Sequence, residues 1–134
     1  MDELVQLARD VRSRAYAPYS GYAVGAALRD ERGRVFSGVN VENVSYGATI
    51  CAERGAVMAM VADGGARLTE LAVATRDGGS PCGMCLQVLA EFAPFDLPIT
   101  LVDESGTVRE ATLAAFLPRP FVSADVERSD DPAR

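Results

Sequence analysis

Leu4, Leu7, Ala8, Val11 and Ala15 recur at helical spacing and form one apolar stripe, which predicts a first helix over 2–15. Ala17-Pro18-Tyr19-Ser20-Gly21 then breaks it with turn chemistry. Residues 23–29 read as a strand, 30–33 as a turn and 34–41 as the hairpin partner. A second helix is expected over 49–62, stopped by Gly64-Gly65, a pair that takes the left-handed conformation readily. A strand follows over 68–75, a turn at Asp77-Gly78-Gly79, and a third helix over 82–92. Two short strands, 98–102 and 107–110, flank Glu104-Ser105-Gly106, and a last helical turn falls at 113–117. The order α-β-β-α-β-α-β-β-α predicts a mixed sheet covered by helices, one layered α/β domain over 1–122 without repeat or linker. The closing SADVERSDDPAR is too poor in apolar residues to pack, so 123–134 reads as a flexible acidic tail.

Composition narrows the function classes. With 134 residues, 49% hydrophobic and 24% charged, the chain has the size and balance of one globular domain. No run of 18 apolar residues offers a membrane span, and the opening MDELVQLARD, acidic and mixed in charge, is unlike a secretory signal. The expected location is therefore the cytoplasm. There is no histidine, which eliminates Ser-His, Cys-His and histidine-ligated metal mechanisms. Three cysteines, an odd number with no export signal, argue against a disulfide framework. Net charge is -6, from 13 basic and 19 acidic residues, so the basic footprint of a nucleic-acid binder is missing. A small-molecule partner is favoured.

The cysteines fall at two matched helix starts. Ser80-Pro81-Cys82 offers an N-cap serine and a proline at the first helical position, and Thr49 offers the cap before Cys51. Partial positive charge at a helix N-terminus favours thiolate, the form that ligates zinc. Cys82 and Cys85 are three apart, share a helix face and can reach one ion. Singly, each could be a buried small hydrophobe, and C-x-x-C alone could be a redox pair. Used together they point to a metal. Three ligands fit a catalytic zinc, which keeps one position open, better than a closed structural site. Glu53 is the candidate base, although residues two apart in a helix point roughly 200° from each other. It can approach only if the helix aims its first turn at the metal; otherwise it is a solvated glutamate favoured by the dipole.

Cys51-Ala52-Glu53-Arg54 followed by Pro81-Cys82-Gly83-Met84-Cys85 resembles the signature of the zinc-dependent nucleoside deaminases, with cysteine in place of the histidine of other branches. Further matches narrow the resemblance to the small homotetrameric cytidine deaminases. They are Tyr16-Ala17-Pro18-Tyr19-Ser20 leading to Val24-Gly25-Ala26-Ala27, then Asn40-Val41-Glu42-Asn43, Tyr46-Gly47, Gln87-Val88, Glu91-Phe92, and Leu117-Pro118 with Phe121. The resemblance runs from about residue 10 to 121, and it implies a three-layer α/β/α sandwich with a mixed five-stranded sheet.

It also implies a chemistry. Cys51, Cys82 and Cys85 would hold one Zn²⁺ per subunit, whose acidified water attacks C4 of cytosine. Glu53 would move the protons, turning cytidine and 2'-deoxycytidine into uridine and 2'-deoxyuridine plus ammonia in pyrimidine salvage. By the same carry-over Asn40 and Glu42 would hydrogen-bond the ribose, Tyr22 would stack on the base, and the Ala52 N–H and Ser80 carbonyl would grip the base edge. Tyr46 and Phe121 would be lent to a neighbouring subunit of a homotetramer. Read locally, Asn40 and Glu42 are surface residues at a strand end, Tyr22 a loop aromatic and Phe121 core packing.

Three thiolates and Zn²⁺ sum to about -1, a poor setting for generating further anion, so Arg54 is the expected compensator beside a ligating sulfur. Read locally, it is a solvated helix arginine. One departure stands out: Leu86 occupies the place after the second C-x-x-C cysteine where the family usually has arginine. That bears on charge balance, a helix contact or subunit packing, and not on the ligands. A deaminase of a related cytosine-nucleoside antibiotic, and a non-enzymatic domain that zinc merely staples, are the alternatives. Asn40 with Glu42 favours a ribose-bearing substrate, and Glu53 beside an incomplete ligand set favours catalysis.

Overall fold

The computed structural model describes residues 2–123, so all but the first residue of the expected tail at 123–134 lies outside the described residues. Its order is α1 (Asp2–Val11), β1 (Gly25–Asp30), β2 (Val35–Val39), α2 (Ala52–Ala62), β3 (Leu68–Ala74), α3 (Gly83–Phe92), β4 (Pro98–Val102), β5 (Val108–Thr112) and α4 (Leu113–Phe116). The five strands form one mixed sheet in the order β2-β1-β3-β4-β5. Only β3 and β4 run parallel; the other pairs are antiparallel.

Period-two alternation divides each strand between two cores. Ala26 and Leu28 of β1, Leu71 and Val73 of β3, and Ile99 and Leu101 of β4 enter the larger core, with Ala56, Val57 and Met60 of α2 and Leu89 of α3. Ala27, Ala72, Ala74 and Val102 face the other way and pack on Leu4 and Ala8 of α1. The result is the expected three-layer sandwich. Among the described residues, no helix is long and apolar enough to cross a membrane.

Boundaries moved where long-range contacts outrank local propensity. The first helix ends at Val11, and Arg12–Arg14 tighten into a 3₁₀ turn. There Arg12 Nε donates to the Ala23 carbonyl at 2.8 Å. The second helix begins at Ala52, not at 49, because Ile50 is held in an antiparallel bridge with Val41. Thr49, expected to cap that helix, accepts from the Asn43 N–H at 3.2 Å instead. Cys51 is the N-cap, and likewise Cys82, not Ser80, caps α3; neither makes a side-chain capping bond. Neither sulfur is therefore spent on capping the backbone of the helix it introduces. The last strand runs to Thr112, carried by its pairing with Pro98. Gly64, at φ +87°, stops α2 as expected.

One glycine sets where α2 lies. A Cβ on Gly38 of β2 would stand 2.4 Å from the Ala52 carbonyl oxygen and 2.5 Å from the Ala56 nitrogen. The first turn of α2 thus rests on bare sheet backbone, which places Cys51 and Glu53 at the sheet's end.

Candidate metal centre and substrate cleft

Two helix caps and one helical turn bring three sulfurs together. The Sγ atoms of Cys51, Cys82 and Cys85 all lie within 4.8 Å of one another, with Cys51 and Cys82 3.8 Å apart. Cys85 is buried, Cys51 half-buried and Cys82 exposed, so the cluster opens on one side. A hydrogen bond from Cys85, outweighing the desolvation that opposes it and joined by Arg54, pulls the Cys51 thiol down to about 5. The same pairing, with burial, pushes Cys85 upward. One negative charge is thus easily held and a second is resisted. A divalent cation removes that resistance, and three soft sulfur donors with an open side fit zinc.

Glu53 sits beside them on the first turn of α2 and is only 4% exposed. The solvated first-turn glutamate is thereby excluded. Burial, with the neighbouring Cys51 charge adding to it, pushes its carboxyl up to about 7, against its own backbone N–H and Arg54. The angular objection to pairing it with Cys51 disappears because Cys51, at φ -75° and ψ 157°, is extended and lies outside the helix.

Cys51, Cys82 and Glu53 border a cleft of about 300 Å³ whose walls include Tyr22, Asn40, Glu42 and Ser80. Asn40 is buried: its Oδ1 accepts from the Val24 N–H at 2.9 Å and its Nδ2 donates to the Tyr22 carbonyl at 2.8 Å. It is not the surface residue of the local reading. Glu42 accepts from the Tyr19 and Ser20 N–H groups at 2.9 and 3.1 Å and from the Ser20 hydroxyl. The Ser20 hydroxyl bond, with those backbone bonds and despite some desolvation, holds its carboxyl below the usual range.

The sequence matches the family model for the cytidine and deoxycytidylate deaminase zinc-binding region over residues 1–100. The chain belongs to this family. It is 41% identical over 128 residues to a cytidine deaminase of Sporosarcina psychrophila, covering 94% of each chain. With a cytidine deaminase of Mycobacterium tuberculosis H37Rv it shares 47% over 116 residues, 85% of this chain and 84% of the relative. The crystal structure of a Burkholderia pseudomallei cytidine deaminase superposes with a TM-score of 0.85 at 40% identity, covering 90% of this chain and 98% of that one.

The remaining expected residues take different places relative to the sulfur cluster. Arg54 approaches it, with Nη2 3.3 Å from Cys51 Sγ, and its guanidinium is held more firmly charged by that sulfur despite desolvation. Ala52 is fully buried at the helix start, so its side chain contributes nothing to the cleft surface. Tyr46 and Phe121 stand apart: they are 78% and 63% exposed and do not line this cleft. Tyr46 meets Tyr19 edge-on at 6.2 Å across a neighbouring depression. Phe121 is anchored through its carbonyl, which accepts from Gln87 Nε2 at 2.6 Å, so core packing is not its role. Leu86 is buried in the larger core, packing where a charged side chain would have had to find a partner.

Ser20 and Thr75 line the cleft, Asp77 bonds the Tyr22 hydroxyl behind it, and none of the three was assigned a role from sequence. Ser20 lay inside a matched motif, but nothing local says that its hydroxyl meets Glu42, 22 positions away.

Proposed function

We propose that the chain hydrolyses cytidine and 2'-deoxycytidine to uridine and 2'-deoxyuridine with release of ammonia, as a zinc-dependent enzyme of pyrimidine salvage in the cytoplasm. The observation that carries this reading is a buried carboxyl, Glu53, held near neutrality at the floor of a cleft of about 300 Å³ beside three converging sulfurs. That volume lies at the lower end of the range of small-molecule sites, in keeping with a nucleoside.

Cys51, Cys82 and Cys85 are the residues that would hold the zinc. When bound, zinc would supply the Lewis acidity that makes water reactive near neutral pH. Glu53 then handles the protons. It accepts one from the attacking water and delivers it to N3 as the oxygen bonds to C4. It takes the second from the new hydroxyl and gives it to the departing amine, so that ammonia leaves and the C4 carbonyl forms. A carboxyl poised near pH 7 suits both duties.

Asn40 and Glu42 hold the ribose hydroxyls in this reading, Tyr22 stacks on the base, and the Ala52 N–H and Ser80 carbonyl fix the base edge. Arg54 balances charge at the Cys51 sulfur. The exposure of Tyr46 and Phe121 supports their insertion into a neighbour's site within a homotetramer. An apolar groove of about 510 Å³ along α2 and α3, bordered by Val57, Met58, Val61 and Phe92, supports subunit contact as well.

Ultraviolet-monitored conversion of cytidine to uridine tests the reading, with chelator-treated protein and Glu53→Gln as controls. Turnover lost in both controls is expected. A folded, zinc-loaded chain without turnover on cytidine or 2'-deoxycytidine overturns it and directs the search to modified cytosine nucleosides.

A further inference from the structure

The two walls of the cleft come from different parts of the fold. One wall, around residues 20–24, is organised by Asn40 and Glu42; the other is the β3–α3 loop that carries Ser80 and Cys82. A single side chain joins them. The Tyr22 hydroxyl donates to Asp77 Oδ1 at 2.6 Å across 55 positions of sequence.

The bonds within the loop hold Asp77 in place for that contact. Its Oδ1 also accepts from the Gly79 N–H at 3.1 Å and the Thr75 hydroxyl at 3.4 Å, while Thr75 Oγ1 takes the Gly78 and Gly79 N–H groups at 2.7 and 3.0 Å. The loop is thus tied internally, and Asp77 is its one carboxylate turned toward the tyrosine. A Cβ on Gly79 would come within 2.6 Å of the Tyr22 oxygen, so any side chain there would displace the hydroxyl from its present place. On its ring face, Tyr22 carries the Arg76 guanidinium, 5.1 Å from the centroid. The backbone of Tyr22 is fixed too, by the Ser20 hydroxyl at its N–H and Asn40 at its carbonyl. Partial burial, then the bond to Asp77, raise the phenol's pKa, while that same bond leads in lowering the carboxyl's. The proton stays on the tyrosine and the charge on the aspartate.

We propose that Asp77 is a positioning residue for substrate binding: through the Tyr22 hydroxyl it fixes the angle of the base-stacking ring and locks the Ser80 loop at the width of a cytosine ring. The proposal rests on the nucleoside-deaminase reading of the cleft. Without the link, ring and loop would be set independently, and binding would weaken while the proton transfers at Glu53 continued. A charge-assisted hydrogen bond of this length is strong enough for a tenfold effect.

A double-mutant cycle tests it, read by KM and kcat for cytidine and by calorimetric binding of uridine. Tyr22→Phe keeps the ring and removes the hydroxyl; Asp77→Ala removes the acceptor. Each is expected to raise KM and weaken uridine binding about tenfold with kcat within about twofold, and the double variant no further than either single. Asp77→Asn, whose amide oxygen still accepts, is expected to recover most of the loss. Single variants without effect on KM, a double variant with multiplied effects, or Asp77→Asn as poor as Asp77→Ala each overturn the proposal alone. A wild-type chain that neither turns over cytidine nor binds uridine overturns the reading of the cleft and the proposal with it.

Discussion

At Glu53, stability and catalysis pull against each other. A carboxyl raised to about 7 by burial favours the folded state while it is protonated, below the ordinary carboxylate range, and that advantage is lost as pH rises through about 7. A shift of this size is worth on the order of 3 kcal/mol. In chelator-treated protein, Glu53→Gln should therefore melt several degrees above the parent at pH 8 and nearly level with it at pH 4, as scanning calorimetry would read. The same variant should lose about 10³-fold or more of its turnover while retaining zinc, since it cannot take the water's proton. Arg54 acts on the neighbouring charge. With its Nη2 3.3 Å from Cys51 Sγ, it supports the anionic sulfur. Arg54→Gln should move the acid limb of the rate profile upward in pH, and an unchanged profile would sink that role. Sequence spacing placed both residues beside Cys51 but misjudged the angle, because it took Cys51 to be helical when its backbone is extended.

Helix starts are the elements on which the site depends, and they were the part least legible in the sequence. Strand and helix interiors followed from periodicity: alternation along 68–74 marks two buried faces, and the stripe of α1 marks one. The caps did not follow, because Thr49 and Ser80 are good cap residues locally and lose the position to contacts that no window of sequence contains. The bridge from Ile50 to Val41 is one such contact. Gly38 was silent for the same reason: a glycine in a strand says only that something approaches closely, not what. Here it is the first turn of α2, against backbone on both sides that cannot rotate away. Gly38→Ala should cost about 1–3 kcal/mol of stability by overpacking. Because the displaced turn carries Cys51 and Glu53, kcat should fall by more than tenfold even at temperatures where the variant remains folded. A surface glycine such as Gly47, with open space around its Cα, should tolerate alanine in both assays.

For the whole molecule, the question is whether one chain contains a complete site. Asn40, Glu42, Cys51, Glu53 and Cys82 line a single cleft with Cys85 buried beside it, and the motifs that carry them were readable because each is short and local. Assembly was legible only through resemblance, since no periodicity encodes it. Two aromatics lie largely outside the packing of the described residues: Tyr46, 78% exposed, and Phe121, 63% exposed with its carbonyl held by Gln87. An aromatic left in solvent gains little burial energy, whereas the same ring inserted against a base in a neighbour's cleft gains much. Complementation separates the two arrangements. Glu53→Gln chains lack the base but keep Phe121, and Phe121→Ala chains lack the ring but keep Glu53. Each alone should be nearly inactive. Denatured together in equal amounts and refolded, they should form mixed assemblies in which about a quarter of the sites pair an intact Glu53 with an intact Phe121 from the adjoining subunit, if subunits combine at random. Activity rising toward about a quarter of the wild-type value is then expected, with the assembly size read by light scattering to show that subunits have mixed. Mixed assemblies with no more activity than the sum of the separate variants would place Phe121 in the service of its own chain, and the shared site would fall.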